Sequence, residues 1–315
     1  MGDELILVTG AAGGRQGKTG RHVSDLLLDK GHRVRAFVHQ MDERDEPLRA
    51  RGAELCQGDL LDYDSVERAV RGVTAVYFAY PVQEGLLEAT AIMAAAARKA
   101  GVSRLVNLVM LESSTRAPTP RMRQNFFSEQ IFEWAGLGVV HIRATVFYEN
   151  VREHVRAALA AGAPMRLPWG NDRTLLPLVA GEDVAKVAAG MLVGPPQPAG
   201  TALRVIGELL AVRDIVLALG RVLGRDLRYE PVPVEAWREQ AESKGLNAHA
   251  VEHLSRLWQF FGALSPDDAA RLYRVPDTIE RFGGTRPKTL EQFFRQEQEE
   301  LAAASASAGT DSHAP

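Results

Sequence analysis

The chain is poor in the features that would staple it, carry it through a membrane or hold it to a polyanion. Its 315 residues include one cysteine, Cys56, which excludes an intrachain disulfide and a thiolate zinc site and makes a reducing cytoplasm the default compartment. Long apolar runs are missing too: none approaches the roughly 18 consecutive residues of a membrane span. No basic stretch precedes Leu5 in Met1-Gly-Asp-Glu, so no targeting leader is read there. Nor is there excess positive charge, since 37 Lys and Arg against 40 Asp and Glu give a formal −3. That balance is a poor footprint for nucleic acid. What remains, 46% hydrophobic and 24% charged residues, is ordinary for a globular chain of one large or two moderate domains.

The first half alternates short apolar runs with helical patterns, as βαβ units do. Strands are expected at Leu5 to Val8, Arg33 to Val38, Ala53 to Gln57, Ala75 to Ala79, Leu105 to Met110 and Val139 to Phe147. Helices are expected at His22 to Lys30, Tyr63 to Arg71, Leu86 to Ala100 and Gln124 to Ala135, with Gly31, Gly72 and Gly101 where C-caps belong. The succession predicts an α/β fold, a doubly wound parallel sheet of Rossmann type. The second half is less regular: a helix at Val151 to Ala160, short strands within 164–169 and 175–179, a helix capped by Asp183 and running to Leu192, and a strand at Leu203 to Ile206. Further helices are read at Val212 to Leu223, Val234 to Lys244, His249 to Phe261 and from Leu290 to about Leu301. This predicts a nucleotide domain over 1–150 with returning segments near 177–206, and a smaller, mainly helical substrate lobe over 151–176 and 207–301. The tail from Ala302 has too few large apolar residues to offset its ordering entropy and is expected to be disordered.

Between the first strand and the first helix lies Val8-Thr-Gly-Ala-Ala-Gly-Gly-Arg-Gln-Gly-Lys-Thr-Gly20. A pyrophosphate needs free backbone N–H groups with no side chain in the way, and a glycine run at a helix N-terminus supplies both. The loop is four residues longer than the usual spacing, so two registers compete, Gly10 with Gly13 or Gly14-Gly17-Gly20; a composite is preferred, with Gly10 turning off the strand and Gly17-Lys18-Thr19-Gly20 opening the helix. The second strand ends without an acid until Asp42, so nothing there is placed to select a ribose 2′-hydroxyl. Arg15, His39 and Arg44 could instead surround a 2′-phosphate, which favours NADP(H) over NAD(H). The expected cofactor contacts are Gly10, Arg15, Gln16, Gly17, Lys18, Thr19, His39, Arg44, Asp59 and Leu60 near the adenine, and Ala79, Tyr80, Pro81 and Phe147 along the wall.

These segments resemble the NmrA-like branch of the atypical short-chain dehydrogenase/reductase superfamily. The resemblance is carried by VTGAAGGRQGKTGRHV (8–23), VRAFV (34–38), GDLLD (58–62), GLGVVHIRATVFYENV (136–151), PLVAGEDVAKVAA (177–189) and LGRDLRYEPVPVEAWRE (223–239). It implies an NAD(P)-binding domain, a small C-terminal substrate lobe and a cleft between them, and a family that includes quinone and azo reductases, phenolic reductases and redox-sensing regulators. The departures are informative. Ordinary members of the superfamily pair a tyrosine with a lysine four residues later. Here the residues four after the six tyrosines are Glu67, Pro81, Glu84, Arg152, Pro233 and Asp277. The matching helix reads Asn125-Phe-Phe-Ser-Glu129, without the family's histidine or lysine; His39 replaces its usual arginine, and Ala144 its proline, while Arg143 and Phe147 keep their places.

Direct hydride transfer to an electron-poor acceptor asks less of the protein: one donor to meet the developing oxyanion. Ser113, Asn125 and Tyr80 are the catalytic candidates, with Ser114 beside them; the plain alternatives are a loop serine, a capping or solvent-facing asparagine and a cofactor wall. The expected function is an NAD(P)H-dependent reduction of a flat conjugated carbonyl or quinone-like small molecule, without metal or flavin. A nucleotide-sensing regulator and a non-redox tailoring enzyme are the alternatives, and a homodimer is left open. His249 and His253, spaced i, i+4, lack a third ligand and read as packing or surface residues. Trp169, Trp237, Trp258, Phe260 and Phe261 read equally as an aromatic substrate pocket or as lobe core.

Overall fold

The computed structural model describes residues 4–14 and 17–298; Arg15, Gln16 and the tail from Ala302 lie outside them. In chain order the first half comprises β1 (Leu5–Thr9), α1 (Thr19–Asp29), β2 (Arg33–Val38), α2 (Glu46–Ala50), β3 (Glu54–Gln57), α3 (Tyr63–Ala69), β4 (Val73–Phe78), α4 (Leu86–Ala100), β5 (Arg104–Met110), α5 (Pro120–Trp134) and β6 (Val139–Ala144). There follow β7 (Val146–Phe147), α6 (Tyr148–Ala161), β8 (Met165–Leu167), β9 (Leu175–Val179), α7 (Gly181–Val193), β10 (Thr201–Val205), β11 (Glu208–Ala211), α8 (Val212–Leu223) and β12 (Tyr229–Pro231). The chain closes with α9 (Val234–Ser243), α10 (Ala248–Ala263), α11 (Pro266–Leu272), α12 (Thr278–Gly283) and α13 (Leu290–Gln296).

Seven strands form one parallel sheet in the order β10-β6-β5-β4-β1-β2-β3. Successive strand side chains point to opposite faces, and both faces are apolar. Ile6 and Val8 pack with Val23, Leu27 and Val184, whereas Leu5 and Leu7 pack with Val66, Met93 and Phe132. That burial on both sides explains why the strands read as continuous apolar runs. Strand order reverses between β1 and β4, which opens a crevice at their carboxyl ends. Thr9 clamps its inner end: its hydroxyl donates to the Ala79 carbonyl (3.0 Å) and accepts from the Ala79 amide (2.8 Å).

Several sequence expectations need correction. The stretch 139–147 is two strands: β6 completes its pairing in the main sheet at Ala144, and β7 crosses to a second sheet, β11-β9-β7. Thr145 marks the crossing by donating to the Pro177 carbonyl at 2.9 Å. Helix α5 starts at Pro120, not Gln124, because Thr119 caps it by accepting from the Met122 amide. Asp183 does not cap α7; it lies inside the first turn and accepts from the Lys288 amide at 2.6 Å. The strands β11 and β12 and the helices α2, α11 and α12 had no counterpart in the sequence reading.

The aromatic question resolves toward core. Trp169 lies near-parallel to Tyr229 and packs on Trp258, which meets Phe261, which meets Tyr273 edge-on. This chain of rings lies inside a core cluster drawn mainly from the second half of the chain, and Trp237 belongs to a separate small cluster with Ala241 and Val251. No helix among the described residues is long and apolar enough to cross a membrane.

Candidate functional site

The glycine loop turns off β1 and runs into α1 through three left-handed glycines, Gly13 (φ 75°) among them. Gly10 and Gly17 adopt left-handed backbone (φ 66° and 62°), and Gly13 closes a turn by donating to the Gly10 carbonyl at 3.1 Å. Gly20, the second residue of α1, is pressed on the end of β1: a Cβ there would lie 2.4 Å from the Thr9 carbonyl oxygen. Only glycine permits that approach, and it aims the start of α1 at the crevice.

The N-terminus of α1 is electrostatically open. Lys18, its N-cap, is left-handed and provides no side-chain cap, and no acidic residue sits in the first turn. Asp62, Thr119, Asn247 and Thr289 cap α3, α5, α10 and α13 with their side chains, while α4, α6, α8 and α9 begin without one, as α1 does. A Cβ built on Gly10 or Gly14 would meet nothing within 4 Å, so the backbone above the loop is uncovered. Unsatisfied amides, a helix dipole and open space are what a pyrophosphate requires, and the residues present fit a dinucleotide.

The loop is braced from behind by the segment 147–149 and the start of α7. A Cβ on Gly17 would lie 2.8 Å from the Phe147 ring. Glu149, 2% exposed, accepts from the Gly181 amide with both carboxylate oxygens, at 3.1 and 3.2 Å. It thereby caps α7 from a different helix. Burial, opposed by the Glu149 and Gly181 amides and by Arg152, pushes its carboxyl up to about 7. Sequence reasoning named Phe147 as a cofactor wall rather than a support for Gly17, and it missed Thr9, Glu149 and Gly181, whose roles arise from contacts between distant segments.

At the end of β2, His39 and Arg44 are exposed. The Arg44 guanidinium grips Asp42 (2.6 to 3.1 Å) and donates to the Gly13 carbonyl at 3.2 Å. It therefore sits beside the loop with its charge partly met. Asp59 is exposed, its carboxylate accepting from the Leu61 amide at 2.9 Å, and Leu60 is half-buried between them.

Past β4, Ala79 and Tyr80 are half-buried and Pro81 is exposed. The Tyr80 hydroxyl donates to the Glu84 carbonyl (2.8 Å) and the Ser113 hydroxyl to the Met110 carbonyl (2.7 Å), so both hydroxyl hydrogens are engaged. Ser114 is exposed. Asn125, expected to cap or face solvent on the plain reading, is 3% exposed, and its side-chain oxygen accepts from the Met110 amide at 3.4 Å. Its amide nitrogen is the donor this arrangement leaves over. Four residues on, Glu129 is 2% exposed and held by the Arg143 guanidinium through two bonds of 2.8 and 2.6 Å.

His253 is 4% exposed and shares a 2.9 Å hydrogen bond with the Thr119 hydroxyl; burial pushes it down to about 3. No group of three or more His, Cys, Asp or Glu among the described residues is placed to hold a metal ion.

Comparison with known proteins places this geometry. The chain is 33% identical over 247 residues to a (4-alkanoyl-5-oxo-2,5-dihydrofuran-3-yl)methyl phosphate reductase of Streptomyces griseus, covering 76% of this chain and 81% of that one. It is 24% identical over 292 residues to an NAD(P)H azoreductase of Xenophilus azovorans, covering 92% and 97%. Its fold matches the Citrobacter sp. triphenylmethane reductase solved with NADP(H), with a TM-score of 0.77 at 18% identity over 92% and 99% of the two chains. The model of the NmrA-like family matches residues 2–305. The chain belongs to the NmrA-like family.

Proposed function

We propose that this protein is an NAD(P)H-dependent reductase of a flat conjugated carbonyl or quinone-like small molecule, working by direct hydride transfer without metal or flavin. The observation that carries the reading is the uncapped, uncovered glycine cradle at the β1/β4 crevice. Two similar proteins are named as reductases, one of a butenolide phosphate and one of azo compounds. In this reading residues 1–150 and the segments near 177–206 hold the nucleotide, while 151–176 and 207–301 cover the acceptor.

When bound, the nicotinamide supplies the hydride. The chain's own residues orient and polarise. Gly10, Gly17 and the first turn of α1 hold the pyrophosphate, and Ala79, Tyr80, Pro81 and Phe147 wall the cofactor. The Asn125 amide, buried and fixed through Met110, donates to the acceptor oxygen as negative charge develops there, and water supplies the proton. Such a preorganised donor is worth several kcal/mol in a dry site. Arg44, beside Gly13, recognises the 2′-phosphate and gives the preference for NADP(H).

Steady-state oxidation of NADPH and NADH with a panel of quinones and enones tests the reading. Turnover lowered at least a hundredfold by Asn125→Ala supports it. Tight nucleotide binding without turnover of any acceptor overturns it, and is what a nucleotide sensor would give.

A further inference from the structure

Arg121 is a buried charge without a countercharge. It is 2% exposed, on the second residue of α5. Its terminal nitrogens donate to the carbonyls of Gln83, Tyr80 and Pro81 at 2.9, 3.0 and 2.8 Å, and it stands over the Tyr80 ring at 5.6 Å. Among the described residues no carboxylate forms an ion pair with it, and its Nε is buried without a partner. Carbonyl dipoles satisfy N–H groups but do not neutralise a cation, and buried cations are as a rule paired.

Two imidazoles from α10 stand nearby and offer no countercharge. His253 bonds to Thr119, the cap of the same helix, and the buried Nε2 of His249 has no partner. The field of Arg121 reaches both rings, and the carboxylate whose field reaches His249 is the exposed Glu84. A buried guanidinium N–H and a buried ring nitrogen left without partners, beside an unpaired cation, describe a place that an anion completes. The cluster lies where the lobe helix α10 meets the loop after β4, one turn before Asn125.

We propose that Arg121, with His249, is a subsite for an anionic arm of the acceptor, a carboxylate or a phosphate monoester carried beside its conjugated carbonyl. The subsite rests on the reductase reading. The half-exposed His249 ring turns aside, or α10 lifts, to admit the arm, and the bound anion then offsets the guanidinium charge. Acceptors lacking the arm leave that charge uncompensated and bind less well.

The test uses the full chain and matched acceptors: a quinone bearing a carboxylate and its methyl ester, and the same quinone bearing a phosphate monoester and the free alcohol. The charged member should be favoured at least tenfold in kcat/KM, mainly through KM, with the ratio shrinking as ionic strength rises. Comparing carboxylate with phosphate identifies the preferred arm. Arg121→Met should abolish the ratio, Arg121→Lys should retain part of it, and His249→Phe should reduce it severalfold while leaving the carbonyl bonds of Arg121 in place. Equal use of charged and neutral acceptors by the unmodified protein overturns the proposal. So does an Arg121→Met protein that keeps the ratio, or one that loses NADPH affinity by the same factor, since the guanidinium then serves the nucleotide. If no acceptor is turned over, the reductase reading fails on its own. Calorimetric binding of the same pairs to the nucleotide-loaded protein still decides the subsite, a tenfold preference supporting it and equal affinity overturning it.

Discussion

The α-carbon of Gly181 rests on the carbonyl of Gly17: a Cβ at position 181 would lie 1.8 Å from that oxygen and 2.7 Å from Glu149 Oε1. The first residue of α7 and the phosphate loop therefore hold each other in place. Gly181→Ala must push the two apart, and because the loop faces the open crevice, it is the part that yields. NADPH affinity, measured by calorimetry, should fall at least tenfold, which corresponds to about 1.4 kcal/mol. The circular dichroism spectrum should be retained. Unchanged affinity would mean that the loop is not braced through this contact.

Glu149 gives a pH signature. Its carboxyl is raised from 4.5 to about 7 by burial, so the folded protein holds a proton there that the unfolded chain has already released. Between these values the native state binds more protons, and stability falls as pH rises through the window, then levels off above about 7. The effect is on the order of 3 kcal/mol. Glu149→Gln should lose this slope: urea midpoints for the two proteins should diverge from pH 5 to pH 7.5, the unmodified protein falling relative to the variant. Parallel curves would show that the carboxyl titrates normally.

Glu129 is spent on structure, its carboxylate held by the Arg143 guanidinium. Arg143→Met leaves a carboxylate buried without its partner and should destabilise the protein by about 3 kcal/mol. Adding Glu129→Gln should recover much of that loss, because the neutral amide needs no countercharge. Thermal denaturation of the single and double variants measures both. A double variant as unstable as the single would point to packing by the arginine stem instead.

Arg44 offers a discriminating test of nucleotide choice. Removal by Arg44→Ala should weaken NADPH about tenfold and NADH less than twofold, since only the former carries a 2′-phosphate for the guanidinium. Equal losses would assign Arg44 to loop support through Gly13.

Much of the sheet was legible because parallel strands buried on both faces announce themselves as apolar runs; β2 and α4 coincide with the ranges read from periodicity. The run 139–147 misled because an apolar stretch does not reveal that its last two residues pair in another sheet. The start of α5 was signalled by Thr119-Pro120, and that of α11 by Ser265-Pro266, where Ser265 accepts from the Asp268 amide. The glycine loop was readable locally because its chemistry is local. Glu149, Gly181 and Arg121 were not, since what matters about each is a contact with a residue tens of positions away.

The aromatic interior of the lobe has an optical consequence. Three of the four tryptophans, Trp169, Trp237 and Trp258, are buried on the lobe side, and the fourth, Trp134, is 74% exposed at the end of α5. Emission from the native protein should therefore separate into a blue component that iodide does not quench and a red component that it does. Unfolding of the second half should shift the first component alone, so a single fluorimeter trace can follow it while the red emission of Trp134 on α5 stays unchanged.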